Sequence, residues 1–375
     1  MARVRVANDK VLMELVVAVL IMCGCGLVVT PAAAGSLVPA LYVFGDSTMD
    51  VGNNGPLPLP YGIDFPHHST PTGRASNGYN VADSISRLLG FDMSPPAYLS
   101  LTPQTSREIL RGLGGVNYAC RGSGILDETG NKSNSLLTMT QQVEFFAATK
   151  SNMTEEYAGS KGSVAIDTLL SQSLFLISTG GNDMVEFILK PGQVSIFYAQ
   201  LLSSYTKHVQ TLYSLGARRF GILDVPPIGC VPAIRAMSPT GECVGLANAL
   251  AKGFNYLLGV RMARLAADPE WSEMTYSIGS SYNLVTNFTA DPEAAGFRDV
   301  ATACCGDGRF GVERWCQANS TVCENRNDHL YWDGLHSSQA TADKGAAIIF
   351  ATPVEFGFAA PVNFKQLISS THALF

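Results

Sequence analysis

An α/β fold with a mainly parallel sheet is predicted by two patterns in the sequence. Short apolar runs rich in β-branched and aromatic residues alternate with longer stretches of helical spacing, and glycine or asparagine follows several of the runs. Strands joined through helices pair in parallel, and a parallel sheet is covered on both faces. Strands are expected at 41–44, 116–119, 174–178, 219–223 and 275–278, and helices at 79–89, 141–149, 197–215 and 246–266. Ligands of such a sheet bind beyond the carboxyl ends of its strands, so the loops at Gly45, Gly122 and Gly180 to Asn182 are candidate site loops.

The chain begins with a different kind of segment. Arg3, Arg5 and Lys10 precede an apolar run over 11–30, which ends at Pro31 and three alanines. This order is that of a secretory signal peptide over 1–34 cut after Ala34, leaving a single mature, extracellular domain over 35–375. A retained anchor is the alternative, but Glu14 inside the run and the small residues at its end favour removal, after which no span remains. Asn131, Asn152, Asn287 and Asn319 each open an NxS/T sequon, expected on exposed loops as glycosylation sites. A net charge of −6 without a basic stripe argues against nucleic acid as a partner. The stretch 55–71 has no period and reads as a surface loop.

Seven cysteines lie beyond the leader. In an oxidising compartment they are expected to pair, leaving one over. Cys230 and Cys243 would close a short loop, whereas adjacent Cys304 and Cys305 would each reach another partner such as Cys316 or Cys323. Cys120 is then the odd thiol, expected as a small buried residue. The last four do not have the CxxC-like spacing of a zinc site.

The sequence GDGRFG at 306–311 fits a dinucleotide fingerprint but follows a cysteine pair instead of a strand, so it reads as a turn within a disulfide loop. Walker A, HExxH, EF-hand and GxSxG patterns are absent. The strongest local signal is Phe44-Gly45-Asp46-Ser47 at the end of the first strand, where a serine after a glycine can project into the crevice above the sheet. Asp333 and His336 are spaced so that one turn brings the carboxylate to the imidazole Nδ1 and leaves Nε2 free as a base. His329 is the rival base, without a carboxylate three residues before it; His67, His68, His208 and His372 have no motif around them.

With FGDSTMDVGNN at 44–54, GRASNGYNVADSISRLLG at 73–90, GVNYACRGSGIL at 115–126, STGGNDM at 178–184, LDVPPIGCVP at 223–232, ACCGDG at 303–308 and YWDGLH at 331–336, the mature chain resembles the plant GDSL esterases/lipases of the SGNH hydrolase superfamily. The resemblance implies a three-layer α/β/α sandwich with a flavodoxin-like sheet, and no metal or organic cofactor. It implies Ser47 as nucleophile, His336 as base and then acid, and Asp333 as its orienting carboxylate. The oxyanion hole would be the backbone N–H groups of Ser47 and Gly122 with the Asn182 amide. Asp46, Asp50, Asn53, Asn54 and Asp183 read as loop-shaping.

Two stretches depart from the family pattern. Ser337 and Ser338 stand where Pro-Thr is common, which predicts a looser turn around His336, and Cys120 and Arg121 stand where smaller residues are usual. The expected function is hydrolysis of carboxylic or lipid esters through an acyl-enzyme on Ser47. An acyltransferase using the same intermediate and a catalytically silent binding protein of the same fold are the alternatives.

Overall fold

A computed structural model describes residues 35–66, 72–130, 137–156 and 160–369, without the side chains of 160–163. The expected leader at 1–34, the sequon at Asn131, and His67, His68 and His372 lie outside the described residues.

Ten strands are present among the described residues: β1 (Ala40–Gly45), β2 (Gly114–Asn117), β3 (Leu174–Ser178), β4 (Arg219–Leu223), β5 (Thr275–Gly279), β6 (Asp299–Ala303), β7 (Gly306–Asp307), β8 (Arg314–Trp315), β9 (His329–Tyr331) and β10 (Ala359–Ala360). The helices are α1 (Val81–Leu88), α2 (Pro103–Leu110), α3 (Met139–Glu156), α4 (Ser160–Gln172), α5 (Gly181–Leu189), α6 (Val194–Ser214), α7 (Pro232–Arg235), α8 (Gly245–Ala267), α9 (Ser281–Ala290), α10 (Gln339–Ala351) and α11 (Phe364–Ser369). The main sheet has the order β10-β5-β4-β3-β1-β2, parallel throughout except for the antiparallel edge strand β10. Without that edge the order is 2-1-3-4-5, the flavodoxin-like arrangement, whose switch point lies between β1 and β3.

All six residues of β1 are buried, as a strand covered on both faces requires. Tyr42 and Phe44, two apart and so on one face, meet Phe146 of α3 at ring-centroid distances of 5.0 and 6.0 Å. α3 packs with α4 and α6, and α6 with α8, while a second group, α1, α10 and α11, packs together. Phe364 of α11 lies against Gly221 in β4. The result is the expected three-layer α/β/α sandwich.

Several elements differ from the sequence expectation. β2 starts at Gly114 and stops at Asn117, two residues ahead of the expected span at each end. A Cβ at Gly115 would stand 1.9 Å from the Leu41 carbonyl oxygen, so the glycine is what lets the strands approach. Asn117 ends the strand because its side chain accepts a hydrogen bond from the Ala119 amide at 2.9 Å. The Gly180 to Asn182 segment is a loop only at Gly180; Asn182 already stands in the first turn of α5. Asn152 and Asn287 are exposed but lie on α3 and α9 instead of loops, and Asn319 is exposed on a turn.

The segment between β6 and α10 is built differently from the sheet. β6 pairs with β9, β7 with β8, and the expected cysteine pairs form there as Cys304–Cys323 and Cys305–Cys316. Cys230–Cys243 is bonded and Cys120 is a free, buried cysteine. The 306–311 stretch is the expected turn within the Cys305–Cys316 loop, not a phosphate cradle.

Candidate active site

The sheet order brings the ends of β1, β2 and β3 side by side at its switch point. Gly45 has φ +136°, and a Cβ there would lie 1.9 Å from the Ser178 carbonyl oxygen. Only glycine permits this approach, and the chain then turns so that the Asp46 amide donates to the same carbonyl at 3.1 Å. The Asp46 carboxylate accepts from the Thr48 amide at 3.0 Å and the Thr48 hydroxyl at 2.8 Å, closing the turn that presents Ser47. Burial pushes the Asp46 carboxyl up to about 6 against these hydrogen bonds.

Ser47 is nearly buried, and its hydroxyl lies 2.8 Å from His336 Nε2. His336 Nδ1 lies 2.8 and 2.9 Å from the two Asp333 oxygens. With Nδ1–H donating to the carboxylate, Nε2 presents its lone pair to the Ser47 hydroxyl. Burial raises the Asp333 carboxyl, but the neighbouring His336 charge, the ring hydrogen bond and the Leu335 and His336 amides outweigh it, leaving the group below its usual value. Burial lowers His336 in turn, yet the charge and hydrogen bond of Asp333, with the charge of Asp46, carry it above its usual value.

The loop after β2 is fastened to the one after β1. Asn53 Nδ2 donates to the Asn117 and Ala119 carbonyls at 2.8 and 2.9 Å, and Asn54 Nδ2 to the Arg121 carbonyl at 2.8 Å. Asp50 accepts from the amides of Gly52, Asn53 and Arg121. Arg121 also donates through Nη2 to the Asn54 carbonyl, so this bulkier residue adds a cross-link to the turn. Burial pushes the Cys120 thiol up to about 11, which is the chemistry of a packing residue and not of a nucleophile. Among the described residues no hydrogen-bond partner takes the Ser47 or Gly122 amide N–H. Asn182 spends one amide hydrogen on the Ser123 carbonyl at 2.8 Å and keeps a second. Asp183 is turned away, accepting from the Ile125 and Leu126 amides and the Thr129 hydroxyl.

A cleft of about 70 Å³ is bounded by Ser47, Asn182, Val225, Pro226, Ile228 and His336. His329 is not part of it. Its Nδ1 is paired 2.8 Å from Asp328, the residue immediately before it. His208 is buried with Nε2 3.3 Å from the Ile125 carbonyl.

Three supports were not legible as such in the sequence. Gln142, fully buried on α3, receives the Gly45 amide hydrogen at 2.8 Å and donates to the Gly45 carbonyl at 2.9 Å, completing the last rung of β1 with a side chain. A polar residue on the inner face of an expected helix was its only signal. Tyr61, in the stretch read as a surface loop, donates its hydroxyl to Asp333 Oδ2 at 2.8 Å, so that loop reaches the site. Ser338 caps α10 by accepting from the Thr341 amide and donates to the His329 carbonyl. The Trp332 amide also donates to the His336 carbonyl at 2.8 Å. The Ser337-Ser338 departure therefore yields a fastened turn, contrary to the looser one expected.

A parallel α/β/α sandwich that sets a serine after β1 against a late Asp–His pair, without a GxSxG elbow, fits a hydrolase of the SGNH type. The chain belongs to the GDSL-like lipase/acylhydrolase family, whose family model matches residues 41–349. It is 36% identical to GDSL esterase/lipase At5g08460 of Arabidopsis thaliana over 89% of this chain and 90% of that one. It is 33% identical to GDSL esterase/lipase APG of the same plant, over 81% of this chain and 88% of its relative. The protein is an ester-hydrolysing enzyme of that family.

Proposed function

We propose that the enzyme is a secreted esterase or lipase that cleaves carboxylic esters through an acyl-enzyme on Ser47. The observation that carries this reading is the hydrogen-bonded chain from Ser47 through His336 to Asp333 at the mouth of the cleft. As the Ser47 oxygen bonds to the ester carbonyl carbon, its proton passes to His336 Nε2, and Asp333 stabilises the imidazolium. The carbonyl oxygen takes on negative charge within reach of the Ser47 and Gly122 amides and the second Asn182 hydrogen. Collapse of the adduct breaks the bond to the alcohol, which leaves with the His336 proton. Water then gives a proton to His336 as it attacks the acyl carbon, and Ser47 recovers its proton as the acid departs.

Secretion rests on the leader-like 1–34, with 35–375 as the mature domain, on the three disulfides and on the exposed sequon asparagines Asn152, Asn287 and Asn319. A fluorophosphonate probe is expected to label wild-type enzyme once per chain at Ser47. The variant Ser47→Ala is expected to lose that label and at least about 10⁴-fold in kcat towards a p-nitrophenyl ester, with an unchanged melting temperature. Undiminished turnover by that variant overturns the assignment.

A further inference from the structure

A second cavity, of about 110 Å³, adjoins the catalytic cleft. Thr48, Ser178, Pro226 and Leu335 stand in the walls of both. Two of these are chain neighbours of Ser47 and His336, so the second cavity begins beside the reacting atoms. Its own lining is mainly apolar, with Leu223, Leu284, Phe288, Leu330, Ala346 and Ile349 drawn from β4, α9, β9 and α10.

The polar groups of this wall are mostly spent on one another. Thr48 Oγ1 is bonded to Asp46 and is 3.1 Å from Ser178 Oγ, and Thr341 Oγ1 donates to the Leu330 carbonyl at 2.7 Å. Asp224 accepts from the Ser280 hydroxyl and the Tyr282 amide at 2.8 and 2.9 Å. The exceptions are the Tyr331 hydroxyl, buried without a partner, and the Ser281 and Ser337 hydroxyls, which make no hydrogen bond among the described residues. A wall that is mainly apolar, with only a few scattered hydroxyls unpaired, rewards an aliphatic guest over a sugar or a charged group.

We propose that this cavity holds the first carbons of the substrate's acyl chain, making the enzyme selective for aliphatic acyl esters over acetates. The inference rests on Ser47 being the nucleophile, because it places the chain relative to the acyl carbon bonded to that residue. Each methylene buried raises kcat/KM about fourfold.

The test is a ladder of p-nitrophenyl esters, acetate to octanoate, with the leaving group held constant. Wild type is expected to favour hexanoate over acetate by about tenfold or more. Ala346→Leu, which puts three carbons into the cavity, is expected to reduce that ratio about tenfold. Ile349→Ala lengthens the cavity and moves the preferred chain upward, which keeps the test alive if the first variant does not fold. Fluorophosphonate labelling of each variant reports that the catalytic residues are assembled. A flat ladder in wild type, or a ratio unmoved by both variants, overturns the acyl pocket while leaving esterase activity standing. A series of acetates with varied alcohols that responds to Ala346→Leu in its place assigns the cavity to the alcohol and also overturns it. Absence of any ester turnover or labelling in wild type is instead the failure of the esterase reading.

Discussion

The two halves of the proposed catalytic apparatus are held in place by different physics. Ser47 follows a strand buried on every side, and its turn is fixed by backbone contact at Gly45 and by the buried Gln142 amide. Asp333 and His336 follow β9, a three-residue strand in a two-stranded sheet, within a segment knit by two nested disulfides and by the Ser338 cap. Dense packing positions the proposed nucleophile, while covalent cross-links and hydrogen bonds position the proposed base. Tyr61 touches the second half from a loop that follows the first, so it couples them.

The sharpest way to separate the halves is Asp333→Asn, which leaves the Ser47 side untouched. It is expected to lower kcat about 10⁴-fold, because the imidazole loses both its tautomer and its counter-charge. His336 acts as a base only when neutral, and in wild type its pKa lies above the ordinary histidine value of 6.5. The acid limb of wild-type kcat/KM should accordingly have its midpoint above that value. Removing the Asp333 charge should move the residual limb downward in a pH–rate profile; an upward move contradicts the role given to Asp333.

Next in size come two variants aimed at how each half is held. Cys305→Ser with Cys316→Ser opens one disulfide loop and is expected to destabilise the fold by about 3 kcal/mol, measured by denaturant unfolding. Gln142→Leu strands the buried Gly45 amide and should cost about 2 kcal/mol by the same measurement. Dithiothreitol should lower the melting temperature of Gln142→Leu as much as that of wild type, and should lower that of the cysteine variant less. Equal sensitivity in all three would mean that this disulfide does not brace the base.

The smallest effect belongs to the coupling. Tyr61→Phe removes one donor from Asp333 and is expected to cost about tenfold or less in kcat. The loss concentrates negative charge on the carboxylate facing His336, so the acid limb should move upward, opposite to the shift of Asp333→Asn. A Tyr61→Phe profile that moves downward, or does not move, leaves Tyr61 as a packing residue only.

What could be read from sequence follows the same division. The five parallel strands of the main sheet carry their own local signal in runs such as Leu174 to Ser178, whereas the two-residue edge strand β10 carries none, and Ser47, Asn182, Asp333 and His336 sit close to glycines in short motifs. The disulfide partners of Cys304 and Cys305 were narrowed by spacing but needed the fold to be distinguished. α4, α9 and α10 were not anticipated, because small and polar residues blur their apolar period and their helicity depends on packing against the sheet. Tyr61 was illegible for another reason: its partner lies 272 residues away, and no local pattern encodes such a contact.

The separation of 289 residues between Ser47 and His336 also orders events in time. A ribosome that has threaded out the parallel strands of the main sheet, through β5, has produced Ser47 without His336. On the proposed mechanism, ester cleavage therefore waits until the Asp333–His336 turn has emerged and docked. Emergence of the Asp333–His336 turn is, on the proposed mechanism, the step that arms the enzyme.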